Sequence, residues 1–246
     1  MVLRGITRYA GCVVLGSMFL CSAVFASSLQ VSPVLLNLQA RQAADGLWLS
    51  NSGSTPLQAQ VRVFRWTQDG GDDTLSPTTD MVASPPMISI DPGQRQLIRV
   101  IRINNGLAPS AVEQSFRVVV DEIPAAAGTP GVQFALRYSI PVFLSGLIKT
   151  TGAVLDWRVR QQGRDVLLQI ENTGSGHAQI SDISFTPNHG KTIVLSKGLY
   201  GYVLAKNVRD WKLKQNGQVF LGGGVLSAKI NQKAIRVSLP PASRTN

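Results

Sequence analysis

Cysteine is nearly absent. The chain has two, Cys12 and Cys21, among 246 residues, and both lie in the first 26. If those residues leave as a secretory leader, no thiol remains, which excludes disulfides, cysteine nucleophiles, redox pairs and cysteine-bound zinc together. Histidine is equally scarce. His177 and His189 sit in Gly/Asn-rich turns at a spacing that fits no zinc motif, and both read as surface turn residues. Helical stripes are missing, since no window carries apolar residues at a 3.6-residue period. No Gly-x-Ser-x-Gly elbow and no phosphate-cradling glycine loop occurs. Asp72 and Asp73 stand in a glycine-flanked turn without the acidic repeat of a calcium loop. Asp121 and Glu122 are strand neighbours that point to opposite faces, so they form no acid–base dyad. No enzyme, metal or cofactor is expected.

What is present begins with a leader. Arg4 and Arg8 give a positive start, an apolar stretch runs from about Tyr9 to Phe25, and Val24-Phe25-Ala26 offers small residues at the cleavage positions. The stretch is short for a membrane span, so export with no stable membrane insertion is expected. A lipoprotein signal does not fit, because bulky Leu20 precedes Cys21 and no apolar run precedes Cys12. The formal charge is +10, and a leader carrying two arginines and no acid leaves +8. That balance favours anionic partners. Export argues against nucleic acid, and the basic residues form no run of five.

Hydrophobic residues make up 44% of the chain, enough for a sizeable core. They recur at a period of two in short runs rich in Val, Ile, Leu and Phe, which predicts an all-β fold. The first part predicts strands at Leu29–Leu38, Gly46–Asn51, Gln58–Trp66, Met87–Ile90, Gln96–Asn104, Gln114–Glu122 and Val132–Leu144. Turn-formers separate them at Asn51–Ser54, Asp69–Asp73, Asp91–Gly93 and Asn104–Gly106. This is the strand density of an immunoglobulin-like sandwich. The second part predicts strands at Val154–Arg160, Asp165–Asn172, Ala178–Phe185, Lys191–Leu195, Tyr200–Leu204, Gln218–Leu221 and Ala234–Leu239, with Gln162-Gly163 and Gln215–Gly217 as hairpin tips. Trp157, Trp211 and Phe185 are expected core anchors. The expected division is a signal at 1–26, one sandwich at 27–147 and a second at 148–246.

One stretch stands apart. Val132, Phe134, Leu136, Tyr138, Ile140, Val142 and Leu144 are all apolar or aromatic and alternate with mixed residues. Such a strand would exceed about 40 Å at roughly 3.3 Å per residue, longer than a small sandwich needs. The expectation is that its second half packs at home while its first half overhangs. An overhanging apolar edge invites aggregation unless a partner strand is meant to pair with it. Strand addition resolves the conflict: main-chain bonds supply affinity, and alternate side chains fill pockets.

Several pieces taken together resemble the PapD-type pilus assembly chaperones. They are Ala83–Pro86 with Ile90–Gly93, Gln96–Arg99, Arg117–Val120 with Asp121–Pro124, Val132–Leu136, and later Gly201–Leu204 and Trp211. The resemblance implies two immunoglobulin-like β-sandwich domains in a boomerang arrangement in the periplasm. It further implies a donor strand completing a pilus subunit, and delivery of that complex to an outer-membrane usher. By position Val132, Phe134 and Leu136 match the donor residues, with Tyr138 continuing the same face. Better-known members hold the subunit's C-terminal carboxylate with two basic residues, and those positions here fall at Pro33 and Pro141. The chain therefore resembles the divergent, archaic (Csu-type) branch. A carboxylate in a partly dry cleft still needs a cation, best a guanidinium, and the candidates are Arg117 first and Arg137 second. Glu122 matches a family acid that helps orient the domains, but its usual basic partner falls at Ser145. The alternatives are a β-sandwich ligand- or carbohydrate-binding module, which usually exposes aromatic clusters, a pilus subunit, which would be a single incomplete domain, and a basic membrane- or nucleic-acid binder.

Overall fold

The computed structural model describes residues 29–103, 110–124, 134–146, 151–214 and 217–245. In chain order the first part forms β1 (Leu29–Ser32), β2 (Leu36–Leu38), β3 (Ala44–Asn51), β4 (Leu57–Asp69), β5 (Asp72–Pro77), β6 (Met81–Ser84), β7 (Met87–Ile90), β8 (Arg95–Arg102), β9 (Gln114–Ile123) and β10 (Arg137–Leu144). The second part forms β11 (Leu155–Gln162), β12 (Asp165–Asn172), β13 (Ala178–Pro187), β14 (Ile193–Val194), β15 (Leu199–Val203), β16 (Val208–Lys212), α1 (Gln218–Leu221), β17 (Gly224–Ile230), β18 (Lys233–Leu239) and β19 (Ser243–Thr245).

Each part is a sandwich of two sheets. In the first, the order β1-β3-β8-β6 faces the order β2-β10-β9-β4-β5, with β7 also on β4. In the second, β16-β12-β11-β19 faces β14-β13-β17-β18, with β15 also on β13. Period-two patterning builds both cores. Val61, Phe116, Val118, Val120, Ile140 and Val142 turn inward in the first, and Trp157, Leu168, Ile170, Ile180 and Phe185 in the second. A third, smaller cluster joins the domains: Trp66 and Phe143 from the first pack with Tyr202 and Leu204 from the second.

Several expectations need correction. The single strand expected over Leu29–Leu38 is two: β1 pairs with β3 in one sheet, and β2 pairs with β10 in the other. Pro33 lies in the break, where a residue without an N–H cannot continue a ladder. Gln218–Leu221 is one helical turn rather than a strand. Its Phe220 enters the core 4.7 Å from Phe185, and four residues are too few for periodicity to separate the two forms. The strand β17 starts inside the Gly222–Gly224 run, and it lies outside the expected strands, as do β5, β6, β16 and β19. Trp211 is partly buried against the second core, less enclosed than Trp157.

Candidate functional site

The run expected as one strand from Val132 to Leu144 has two characters. Val132 lies outside the described residues. Phe134 is 71% exposed, Leu136 and Tyr138 are half-buried, and Ile140, Val142 and Leu144 are buried in the first core. The β10 strand begins only at Arg137. Its inner edge pairs along its whole length with β9, from Arg137 opposite Asp121 to Leu144 opposite Gln114. Its outer edge pairs with β2 only at Val142–Leu144. Among the described residues no strand covers the outer edge from Arg137 to Pro141.

That uncovered half is nevertheless held straight. The Glu122 N–H donates to the Leu136 carbonyl at 2.9 Å, and the Leu136 N–H donates to Glu122 Oε2 at 3.1 Å. Arg137 is ion-paired with Asp121, which also takes Arg62 at 2.6 Å. Burial pushes the Asp121 carboxyl up, but hydrogen bonds from Arg137 and Arg62 outweigh it and leave it below the usual carboxylate range. Tyr138 Oη donates to the Leu29 carbonyl at 2.7 Å. These contacts hold the extended segment in a fixed conformation before anything pairs with its outer edge.

The other face of this sheet looks toward the second domain. Pro141 is directly opposite Arg117, and Arg117 is opposite Phe64 on β4. The Arg117 guanidinium lies 3.7 Å from the centre of the Trp66 ring and 5.5 Å from that of Tyr202. One of its nitrogens donates to the Ser139 carbonyl at 3.1 Å. Burial lowers its pKa, while Asp73 and Tyr202 oppose that shift. Asp73 itself is engaged by the Trp66 indole N–H at 3.0 Å and by Gln68 Nε2 at 2.9 Å. Arg117 is thus a desolvated cation beside the open strand, with aromatic neighbours and no carboxylate ion pair among the described residues. Arg137, by contrast, already spends its charge on Asp121.

Residues 28–145 match the model of the pili and flagellar-assembly chaperone PapD N-terminal domain. The chain is PapD-like, and the likeness to that family is carried by its first domain. A chain of the CsuC–CsuE chaperone–tip adhesion subunit pre-assembly complex, from archaic chaperone-usher Csu pili of Acinetobacter baumannii, is 26% identical. That match covers 89% of this chain and 100% of that one, with a TM-score of 0.69. The YadV chaperone is 20% identical over 86% of this chain and 100% of its own, with a TM-score of 0.63. The CupB2 chaperone of Pseudomonas aeruginosa is 16% identical over 85% and 97%, with a TM-score of 0.55. Among curated proteins no sequence matches. The two β-sandwich domains are arranged as in PapD-like chaperones.

This PapD-like chain joins its domains through particular residues. His177 is a correction to the sequence reading: it is no surface turn residue. Its ring stacks on Phe143, centroids 3.5 Å apart and planes within 5°, and its Nδ1 lies 2.7 Å from Glu113 Oε1. No sequence signal pointed to it, because a histidine in a turn looks the same whether or not another domain covers it. Phe143, on the mixed face of the alternating run, is buried for the same reason, at 1% exposure. At another point Arg209 donates to the Gly71 carbonyl at the β4–β5 hairpin. Gly71 has φ +90°, and a Cβ there would meet the Asp210 side chain at 3.2 Å, so both conformation and closeness favour glycine. Among the described residues no cluster of three or more His, Cys, Asp or Glu could hold a metal ion, no catalytic motif occurs, and no helix is long and apolar enough to cross a membrane.

Proposed function

We propose that the protein is a periplasmic chaperone that stabilises pilus subunits by donor-strand complementation and delivers them to an outer-membrane usher. One observation carries the reading: a pre-organised strand with exposed Phe134, half-buried Leu136 and Tyr138, and an outer edge that no described strand covers from Arg137 to Pro141. A subunit lacking a strand would pair with that edge and take Val132, Phe134 and Leu136 into its groove. Each side chain gains about 1.5–3 kcal/mol on full burial. Arg117 anchors the subunit's terminal carboxylate, its guanidinium replacing the basic residues that the two proline positions lack. Likeness to a chain of the archaic CsuC–CsuE complex supports placement in that branch. The leader at 1–26 carries the chain to the periplasm, with domains at 27–147 and 148–246. A carbohydrate-binding reading has less support. The cleft aromatics Trp66 and Tyr202 are buried, and exposed Trp48 is covered by Arg95 at 4.4 Å.

Periplasmic co-expression with subunits from neighbouring loci tests the reading. Replacing Phe134 and Leu136 by Ser abolishes subunit recovery while the chaperone stays folded; undiminished recovery refutes the donor assignment. Arg117→Glu likewise lowers recovery, and unchanged capture would retire Arg117 as the anchor.

A further inference from the structure

The contact between the two domains holds a buried polar group that the capture step does not use. Gln68, near the end of β4, is only 4% exposed. Its Nε2 donates to the Tyr202 carbonyl at 2.8 Å, and its Oε1 accepts from the Leu204 N–H at 2.9 Å. This is the reciprocal donor–acceptor pair that a neighbouring strand would offer, delivered instead by one side chain from another domain. Nε2 also donates to Asp73 Oδ1 at 2.9 Å. A planar amide carries a donor and an acceptor side by side, and no charged or apolar side chain of that length does so.

The other bridges across this junction constrain direction less. The Trp66, Phe143, Tyr202 and Leu204 cluster is adhesive, but apolar contact is non-directional. Arg209 reaches Asp72 at 3.3 Å and Asp73 at 3.7 Å, yet Asp72 is 91% exposed and the longer contact to Asp73 is only partly shielded, so solvent screens the attraction. Glu113 also grips the second domain: its Oε1 accepts from the His177 N–H at 3.0 Å and lies 2.7 Å from the ring Nδ1, and its own N–H donates to the Ser175 carbonyl at 3.0 Å. Gln68 differs from Glu113 in that one buried side chain both donates to and accepts from the backbone of the second domain, at Tyr202 and Leu204.

We propose that Gln68 is the positioning residue that sets the angle between the second domain and the donor-strand sheet, and through it the shape of the cleft around Arg117. The link to the cleft is short. Trp66, two residues back on β4, carries the Arg117 guanidinium on its ring and donates to the same Asp73 oxygen that Gln68 binds. The claim about orientation stands without subunit capture; its consequence for capture rests on the function proposed above.

Both native cysteines lie within the first 26 residues, so spin labels can be placed in the exported chain at Ser89→Cys on β7 and Ser238→Cys on β18. The label-to-label distance distribution is then read by pulsed electron paramagnetic resonance. Gln68→Ala should broaden it, lowering the ratio of native to displaced orientations by roughly 10- to 100-fold for the lost buried hydrogen bonds. Amide NMR shifts distant from the junction check that each domain keeps its fold. A native distribution in folded Gln68→Ala overturns the proposal.

Gln68→Glu gives a second, independent arm. Its carboxylate faces the Tyr202 carbonyl without a proton to donate, so the distribution is broad at neutral pH. It narrows as the carboxyl is protonated, because the acid then both donates and accepts. Asp73, Arg117, Arg209, His177 and Tyr202 surround the site, and the wild-type titration over the same range supplies their background. A pH response no different from wild type overturns the proposal. If Gln68→Ala shifts the distances but leaves subunit recovery intact, while the Phe134 and Leu136 changes abolish it, the link from orientation to the cleft is overturned. If those donor-strand changes leave recovery intact, the function fails instead, and the distance measurement still decides the role of Gln68.

Discussion

Residues 134–139 and residues 140–144 form one extended run with one alternating pattern, but they meet different surroundings. Ile140, Val142 and Leu144 fill the first core on one face, and Phe143 is pressed against the second domain on the other. Phe134 and Leu136 continue the first face past the end of that core, and Ser139 and Arg137 continue the second past the end of the domain contact. The backbone shows the same division, paired on both edges at Val142–Leu144 and on one edge from Arg137 to Pro141. One run of chain is therefore anchored at one end and open along one edge at the other. The buried half fixes the register that the open half presents.

The sharpest way to break this contrast is to place a charge in each half. Val142→Asp buries an unpaired carboxylate in a closed core and should cost about 4 kcal/mol or more, with little folded protein recovered. Phe134→Asp should shift stability by no more than about 0.5 kcal/mol. Urea denaturation measures both, and similar losses at the two positions would end the distinction. Next in size, Phe143→Ala should destabilise by about 3 kcal/mol, since it removes a buried ring and the surface on which His177 stacks. A loss below about 1 kcal/mol in thermal unfolding would mean that the second domain contributes little to holding this half.

The smallest expected effect concerns the open half alone. Arg137 and Arg62 hold the Asp121 carboxyl below its ordinary value against the opposing effect of burial. A depressed carboxylate contributes stability that is present above its unfolded pKa of about 3.9 and is lost as pH falls through the folded value. Asp121→Asn should therefore flatten the acid limb of the stability–pH curve below about pH 4 and leave the core residues undisturbed. An unchanged acid limb would show that the clamp on the start of β10 carries no linked protons.

Alternation made most of the strands legible, including β7 and β12 to the residue, because a half-buried sheet writes its two faces directly into the sequence. It failed where strands were short or bounded by glycine, as at β17, and where a sheet edge is largely exposed, as at β5, whose six residues all face solvent. The passage from enclosed to exposed side chains along residues 134–144 was legible as an apolar alternation longer than a small core needs. Arg117 could be placed on the outer face of its strand by the same parity. That its guanidinium would lie over Trp66 could not be read, since β4 and β9 are brought together only by pairing residues more than 50 positions apart.

Sequence alone determined an all-β chain and the inward face of each long strand, since side-chain parity along a strand is a local property. It did not fix strand length, for the run expected from Val132 to Leu144 is strand only from Arg137, as β10. Tertiary structure alone decided where that strand passes from buried to exposed and which cation stands beside it. It also made Gln68, His177 and Phe143 junction residues rather than surface ones. Those outcomes depend on how two separately folded sandwiches meet, and no local pattern within either one encodes the surface of the other.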